Sequence, residues 1–172
     1  MTMPELLTAM TILAFVISGI LAVYVGGLRA TNDMNERFQA QQNARLALSS
    51  MRTEVGSSCS VSVPAGGASV TLGLWDSTNN VCSTTNLVSW CATSTSGVAP
   101  FGLYRQTGST CTAATGVKRA GSLTTTAVFT KVTASGTRPE LQVNIPVDAN
   151  LRQTSGTYTL KDLITLRNAS VS

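Results

Sequence analysis

The sequence predicts an α+β fold: one long N-terminal helix, apolar in its first half and amphipathic in its second, packed on a C-terminal head of antiparallel β-sheet. Three observations carry that expectation. Residues 6–28 hold no charged side chain. Residues 30–55 hold no glycine or proline and set apolar side chains at helical spacing. Beyond residue 56 the composition turns to Thr, Ser, Gly and Val, and the apolar period drops to two. The chain of 172 residues therefore divides into residues 1–28, a hydrophobic membrane or core helix, residues 29–55, an amphipathic half-helix, and residues 56–172, the head.

The first part is MTMPELLTAMTILAFVISGILAVYVGGL. Twenty-three uncharged residues in a row, rising about 1.5 Å each, make a helix of about 35 Å, enough to cross a hydrocarbon core of about 30 Å. A single carboxylate, Glu5, heads this run. Thr2-Met3-Pro4-Glu5 has the form of a capping box, with Pro4 tolerated in the first turn and Glu5 favourable at the positive end of the helix dipole. A cap of that kind is one sufficient reading of the residue.

The helical pattern continues after Gly26-Gly27. Ala40, Ala44, Ala47, Met51 and Val55 form one apolar stripe, and Asp33 and Arg37 stand four apart on a polar face. Residues 3–55 read as nearly one helix whose second half packs on the head. In the head, ASVTLGLW alternates through Val70, Leu72 and Leu74; LVSWCA and GLYRQ flank a GVAP turn; TTAVFTKVTA, ELQVNIPV and TYTLKDLITLRN follow. In the last, Tyr158, Leu160, Ile164 and Leu166 share one face while Thr157, Thr159, Lys161, Thr165 and Arg167 share the other. Short gaps favour antiparallel neighbours, with one sheet face on the helix and one in water. Pro146 marks an edge or bulge, and residues 76–86 and 107–124 read as loops.

Charged residues are 12% of the chain and the net charge is +4. The cations are scattered, Lys118-Arg119 being the one adjacent pair, so nucleic acid is not expected as a primary partner. The chain has no histidine, and Asp76, Glu140, Asp148 and Asp162 stand singly in sequence, so no acid–base or nucleophilic set is legible and no enzyme activity is expected. Cys59, Cys82, Cys91 and Cys111 form no CxxC, which with the missing histidine argues against metal and for disulfides in an exported domain. Of the three connectivities, Cys59-Cys82 with Cys91-Cys111 closes two loops of about 20 residues, worth roughly 3 kcal/mol each. The Asn168-Ala169-Ser170 triplet is common by chance and is not read as glycosylated.

No basic n-region precedes the apolar run and no small-residue cleavage site follows it, so the start of the chain reads as the matured end of a cleaved precursor. MTMPELLTAM followed by TILAFVISGI resembles the processed N-terminus of type IV pilins and pseudopilins, and QQNARLAL further on is similar to the half-helix of minor pilins and pseudopilins. Met1 stands where phenylalanine is commoner, Pro4 where an aliphatic is, and Ala22 where many major pilins have a helix-breaking proline. The resemblance implies a leader removed by a prepilin peptidase and an N-methylated Met1. It implies a homopolymer of identical subunits, held in the inner membrane before assembly and found afterwards in an extracellular pilus built by the assembly machinery. It pairs Glu5 with the Met1 amine of a neighbouring subunit, which sets the register of assembly. No cofactor and no small-molecule substrate are implied; motility, adhesion, DNA uptake or secretion as the filament's task depends on machinery encoded elsewhere. A minor pilin or pseudopilin that primes or caps a filament is the nearest alternative, and a membrane-anchored monomeric adhesive domain a further one. Gly19, Gly26 and Gly27 are the weak points of the helix, each about 1 kcal/mol worse than alanine. A continuous helix is expected in the membrane; any break in a filament is expected between residues 15 and 27.

Overall fold

The computed structural model describes residues 3–76, 79, 81–133, 137–148 and 157–169. Helix α1 runs unbroken over Met3–Ser57. Eight strands follow among the described residues: β1 (Ser58–Ser62), β2 (Ser69–Asp76), β3 (Val81–Thr93), β4 (Phe101–Thr107), β5 (Val117–Leu123), β6 (Phe129–Val132), β7 (Glu140–Val147) and β8 (Tyr158–Thr165). They form one antiparallel sheet in the order β1-β2-β3-β4-β5-β7-β6, with β8 paired to β7. The fold is α+β. Two compact units divide the chain after Glu36. The first is the apolar half of α1, with every residue from 3 to 32 exposed. The second, Arg37–Ser172, contains the rest of α1 and the whole sheet.

Within the second unit the core is the seam between α1 and the sheet. Ala44, Ala47, Leu48, Met51 and Val55 are buried, at spacings of three and four that keep them on one helix face. They join Val70, Leu72, Val88, Trp90, Leu103, Leu141, Val143 and Ile145 in one cluster. The expected stripe is present except that Ala40 is only half-buried and Leu48 joins it. In β8, Ile164 is buried while Thr159, Lys161 and Thr165 are exposed, because successive strand residues leave opposite faces; just past its end Leu166 is buried and Arg167 exposed.

Three local expectations are corrected. Residues 76–86 read as a loop in sequence, but β3 begins at Val81, with Trp75 opposite Cys82 and the register broken between Gly73 and Trp75. The Ser83 hydroxyl there accepts the N–H groups of Thr85 and Asn86, a local turn set inside the strand that masks its alternation. Residues 107–124 include β5, whose pairing with β4 slips twice and whose Ser122 adopts φ 60°, so only Ala120 and Leu123 point firmly inward. The outer sheet face is also not wet throughout. Ser89 and Cys91 on β3 are buried, one donating to Gly108 O at 2.6 Å, the other bonded to Cys111, so the segment after β4 folds over that face.

Pro146 lies inside the sheet, opposite Thr159 of β8. Asn144 N donates to Val128 O, Asp148 N donates to Ser122 O, and Pro146 O accepts from Thr124 N. The missing proline N–H thus falls where β7 changes partner from β6 to β5, a gap that needs no donor.

Candidate functional site

In the first unit the apolar half of α1 is itself the candidate site. Its large side chains point in all directions: Leu7, Met10, Ile12, Leu13, Phe15 and Val16 together go round the helix, and even the least exposed of the set, Val25, keeps 43% of its surface open. The helix is long and apolar enough to cross a membrane, with none of that span buried within the protein. Its Ser and Thr hydroxyls bond back to the helix itself. The Thr8 hydroxyl donates to Glu5 O at 3.0 Å, Thr11 to Thr8 O at 2.8 Å and Ser18 to Phe15 O at 2.8 Å, so all three Ser and Thr hydroxyls of residues 6–28 are satisfied within the helix.

Glu5 lies in the first turn of α1, where the helix dipole favours a carboxylate. Its supposed capping partner Thr2, and Met1, lie outside the described residues. The helix passes through Gly19, Gly26 and Gly27 without a break, and a Cβ at any of the three would meet nothing within 4 Å. These residues and Glu5 are spread along α1 rather than gathered. The cysteines are paired in the second unit as Cys59–Cys82 and Cys91–Cys111, with Cα separations of 5.7 and 5.8 Å.

The second unit adds a polar seam that fixes α1 to the sheet. Glu54 Oε2 accepts the Trp90 indole N–H at 2.7 Å and its Oε1 accepts Arg105 Nε at 2.5 Å. Both ionic side chains are largely buried, at 25% and 18% exposure, so this pair is held in a lower dielectric than a surface pair. Arg52 Nε donates to Asp162 Oδ2 at 2.6 Å; the hydrogen bond, then the charge, of Asp162 raises the Arg52 guanidinium pKa. Arg45 donates to Tyr158 Oη at 3.0 Å and stands 5.7 Å from its ring centre. Asn168 Nδ2 donates to Ser57 O at 3.0 Å, satisfying one of the carbonyls that a helix end leaves open.

Sequence reasoning missed this seam. Asp162 shares the inward parity of Tyr158, Leu160 and Ile164, and a carboxylate on the buried face of a strand asks for a cation. The Glu54–Trp90–Arg105 set joins residues 36 and 51 positions apart, with no local pattern to announce it.

No family model, curated protein or solved structure matches this chain. What the fold defines is an arrangement: an apolar helix of membrane-spanning length that continues as the core helix of a disulfide-bonded antiparallel sheet. That arrangement is compatible with a pilin-like fold.

Proposed function

We propose that the chain is a structural subunit of the type IV pilin kind, polymerising through the apolar half of α1 into an extracellular filament. One observation carries the reading: an unbroken helix, apolar all round, exposed along its first half and with its Ser and Thr hydroxyls bonded to its own backbone, attached to a disulfide-bonded head. Such a surface is stable in lipid or among copies of itself. Moving from one to the other exchanges apolar burial instead of losing it.

Glu5 then has a second task beyond the helix dipole. A carboxylate enclosed in a helix bundle costs several kcal/mol unless paired, and the amine of Met1 on a neighbouring subunit is the partner that would define one axial register. The head faces water, and the seam at Glu54 and Arg52 holds it to the helix that carries load.

Electron microscopy of the fraction sheared from cells making the full chain, with mass spectrometry of the first peptide, tests this. Fibres composed mainly of this chain, with a methylated amine on Met1, are expected. Fibres in which the chain is a trace component assign it to a priming or capping subunit. A protein that stays in the membrane unmethylated, with no fibre, is an anchored monomeric domain, and the proposal fails.

A further inference from the structure

An open sheet edge is a template for another strand unless it is short, bulged, charged or covered. Among the described strands the edges differ. β1 has five residues and a register break, and β6 has four. β8 has eight in unbroken register with β7.

The direction of its backbone follows from the ladder. Asn144 N donates to Val128 O, so even-numbered residues of β7 turn toward β6 and odd-numbered ones toward β8. Leu141, Val143 and Ile145 face Ile164, Asp162 and Leu160, and Leu166 N donates to Pro139 O. The N–H and C=O groups of Thr159, Lys161, Leu163 and Thr165 therefore point away from β7, and no other described strand pairs with them.

An open groove follows this edge, walled on one side by the last turns of α1, including Arg52 and Ser57, and on the other by residues 162–165 and Arg167. Four consecutive strand residues line it. Because neighbouring side chains leave opposite faces, what the four share is the backbone edge. The charged residues lining the groove are Arg52, Asp162 and Arg167, two cations to one carboxylate. Asp162 is engaged by Arg52 Nε, yet the Arg52 side chain stays 56% exposed, and Arg167 is exposed. A second β8 brought edge to edge would add its own Arg52 and Arg167 to that charge. Leu163, 54% exposed, leaves the other face of β8 together with Lys161 and offers an apolar contact there.

We infer that the free edge of β8 is a docking site for an extended segment of a partner protein in which acidic side chains alternate with apolar ones. It adds to the sheet as a further strand, with main-chain hydrogen bonds supplying affinity, Arg52 and Arg167 in the groove selecting the acidic side chains and Leu163 on the other face meeting the apolar ones. The site lies wholly within the second unit and does not depend on polymerisation.

The test uses the full chain in detergent micelles and a labelled short peptide alternating valine and glutamate, followed by fluorescence anisotropy. Saturable binding is expected, about tenfold weaker for a valine–lysine peptide and for a backbone N-methylated copy, as loss of one or two hydrogen bonds implies. Leu163→Pro removes an outward N–H without touching the β7 ladder, and Arg167→Glu reverses a charge; each should weaken binding by a similar factor with an unchanged far-ultraviolet spectrum. Should Leu163→Pro fail to fold, Arg167→Glu and the N-methylated peptide decide. No binding, equal binding of all three peptides, or indifference to Arg167→Glu overturns the inference, as does a dimer of the chain that Leu163→Pro dissolves.

Discussion

Glu5 and Glu54 are the same side chain in opposite surroundings, and each predicts a different loss. Glu54 lies at the helix–sheet seam with Trp90 and Arg105 as donors. Glu54→Ala leaves an indole N–H and a largely enclosed guanidinium without their acceptor, and should destabilise the second unit by about 2 kcal/mol, below the full value for a deeply buried pair because the site is partly open. Arg52→Ala, at the more exposed pair, should remove less than about 1 kcal/mol. Urea unfolding followed by circular dichroism measures both, and equal effects would mean that burial does not separate them. Glu5→Ala and Glu5→Lys belong to assembly. Loss of a cap is worth about 1 kcal/mol, too little to unfold a helix of 55 residues. Both variants are expected in the membrane fraction at normal level but with few or no filaments; ordinary fibre yield from both would reject a register role. Glu5 drew notice in the sequence because it interrupts an uncharged run. Glu54 did not, because the end of an amphipathic helix is an ordinary place for a glutamate.

At the scale of elements, periodic segments were legible and irregular ones were not. α1 announced itself by composition in its first half and by the stripe through Ala44, Ala47, Met51 and Val55 in its second. β2, β7 and β8 announced themselves by alternation. β3 before Leu87 and β5 did not, since a side-chain turn at Ser83 and two register slips against β4 break the period on which such reading depends. The glycines of α1 allow a further prediction. Nothing within the described chain crowds them, so Gly19, Gly26 and Gly27 together replaced by alanine should strengthen the isolated helix by about 1 kcal/mol per site. Membrane insertion should be unchanged. If a filament needs the helix to loosen between residues 15 and 27, assembly of the triple variant falls while insertion holds, read from the ratio of sheared fibre to membrane-bound subunit. A filament map with helical hydrogen bonds unbroken through these positions would instead assign the glycines to close helix packing.

For the whole molecule the question is which unit owns its stability. The second unit has its own buried cluster, from Ala44 of α1 to Ala169 after β8, two disulfides and the polar seam, whereas the first has no buried residue from 3 to 32. A chain beginning at Arg37 keeps every buried side chain of that cluster. It is expected to fold as a soluble monomer with a single cooperative unfolding transition, while the full chain requires detergent or membrane. The bridges should supply a large share of that stability. Cys59–Cys82 and Cys91–Cys111 span 23 and 20 residues, each closure contributing about 3 kcal/mol if it acts chiefly on the unfolded chain. They also tie down β3 at both ends, its polar start against β1 and its buried last residues, at Cys91, against the segment after β4. Replacing one pair by serine should lower the urea midpoint of the shortened chain, and replacing both should leave it open to protease at 37 °C. In the full protein the same double replacement should release head peptides to protease while the apolar helix stays in the membrane pellet. An oxidised chain from Arg37 onward that is unfolded or aggregated would show that the head depends on the apolar half of α1, and the division of the molecule into an assembly helix and a self-sufficient head would fail.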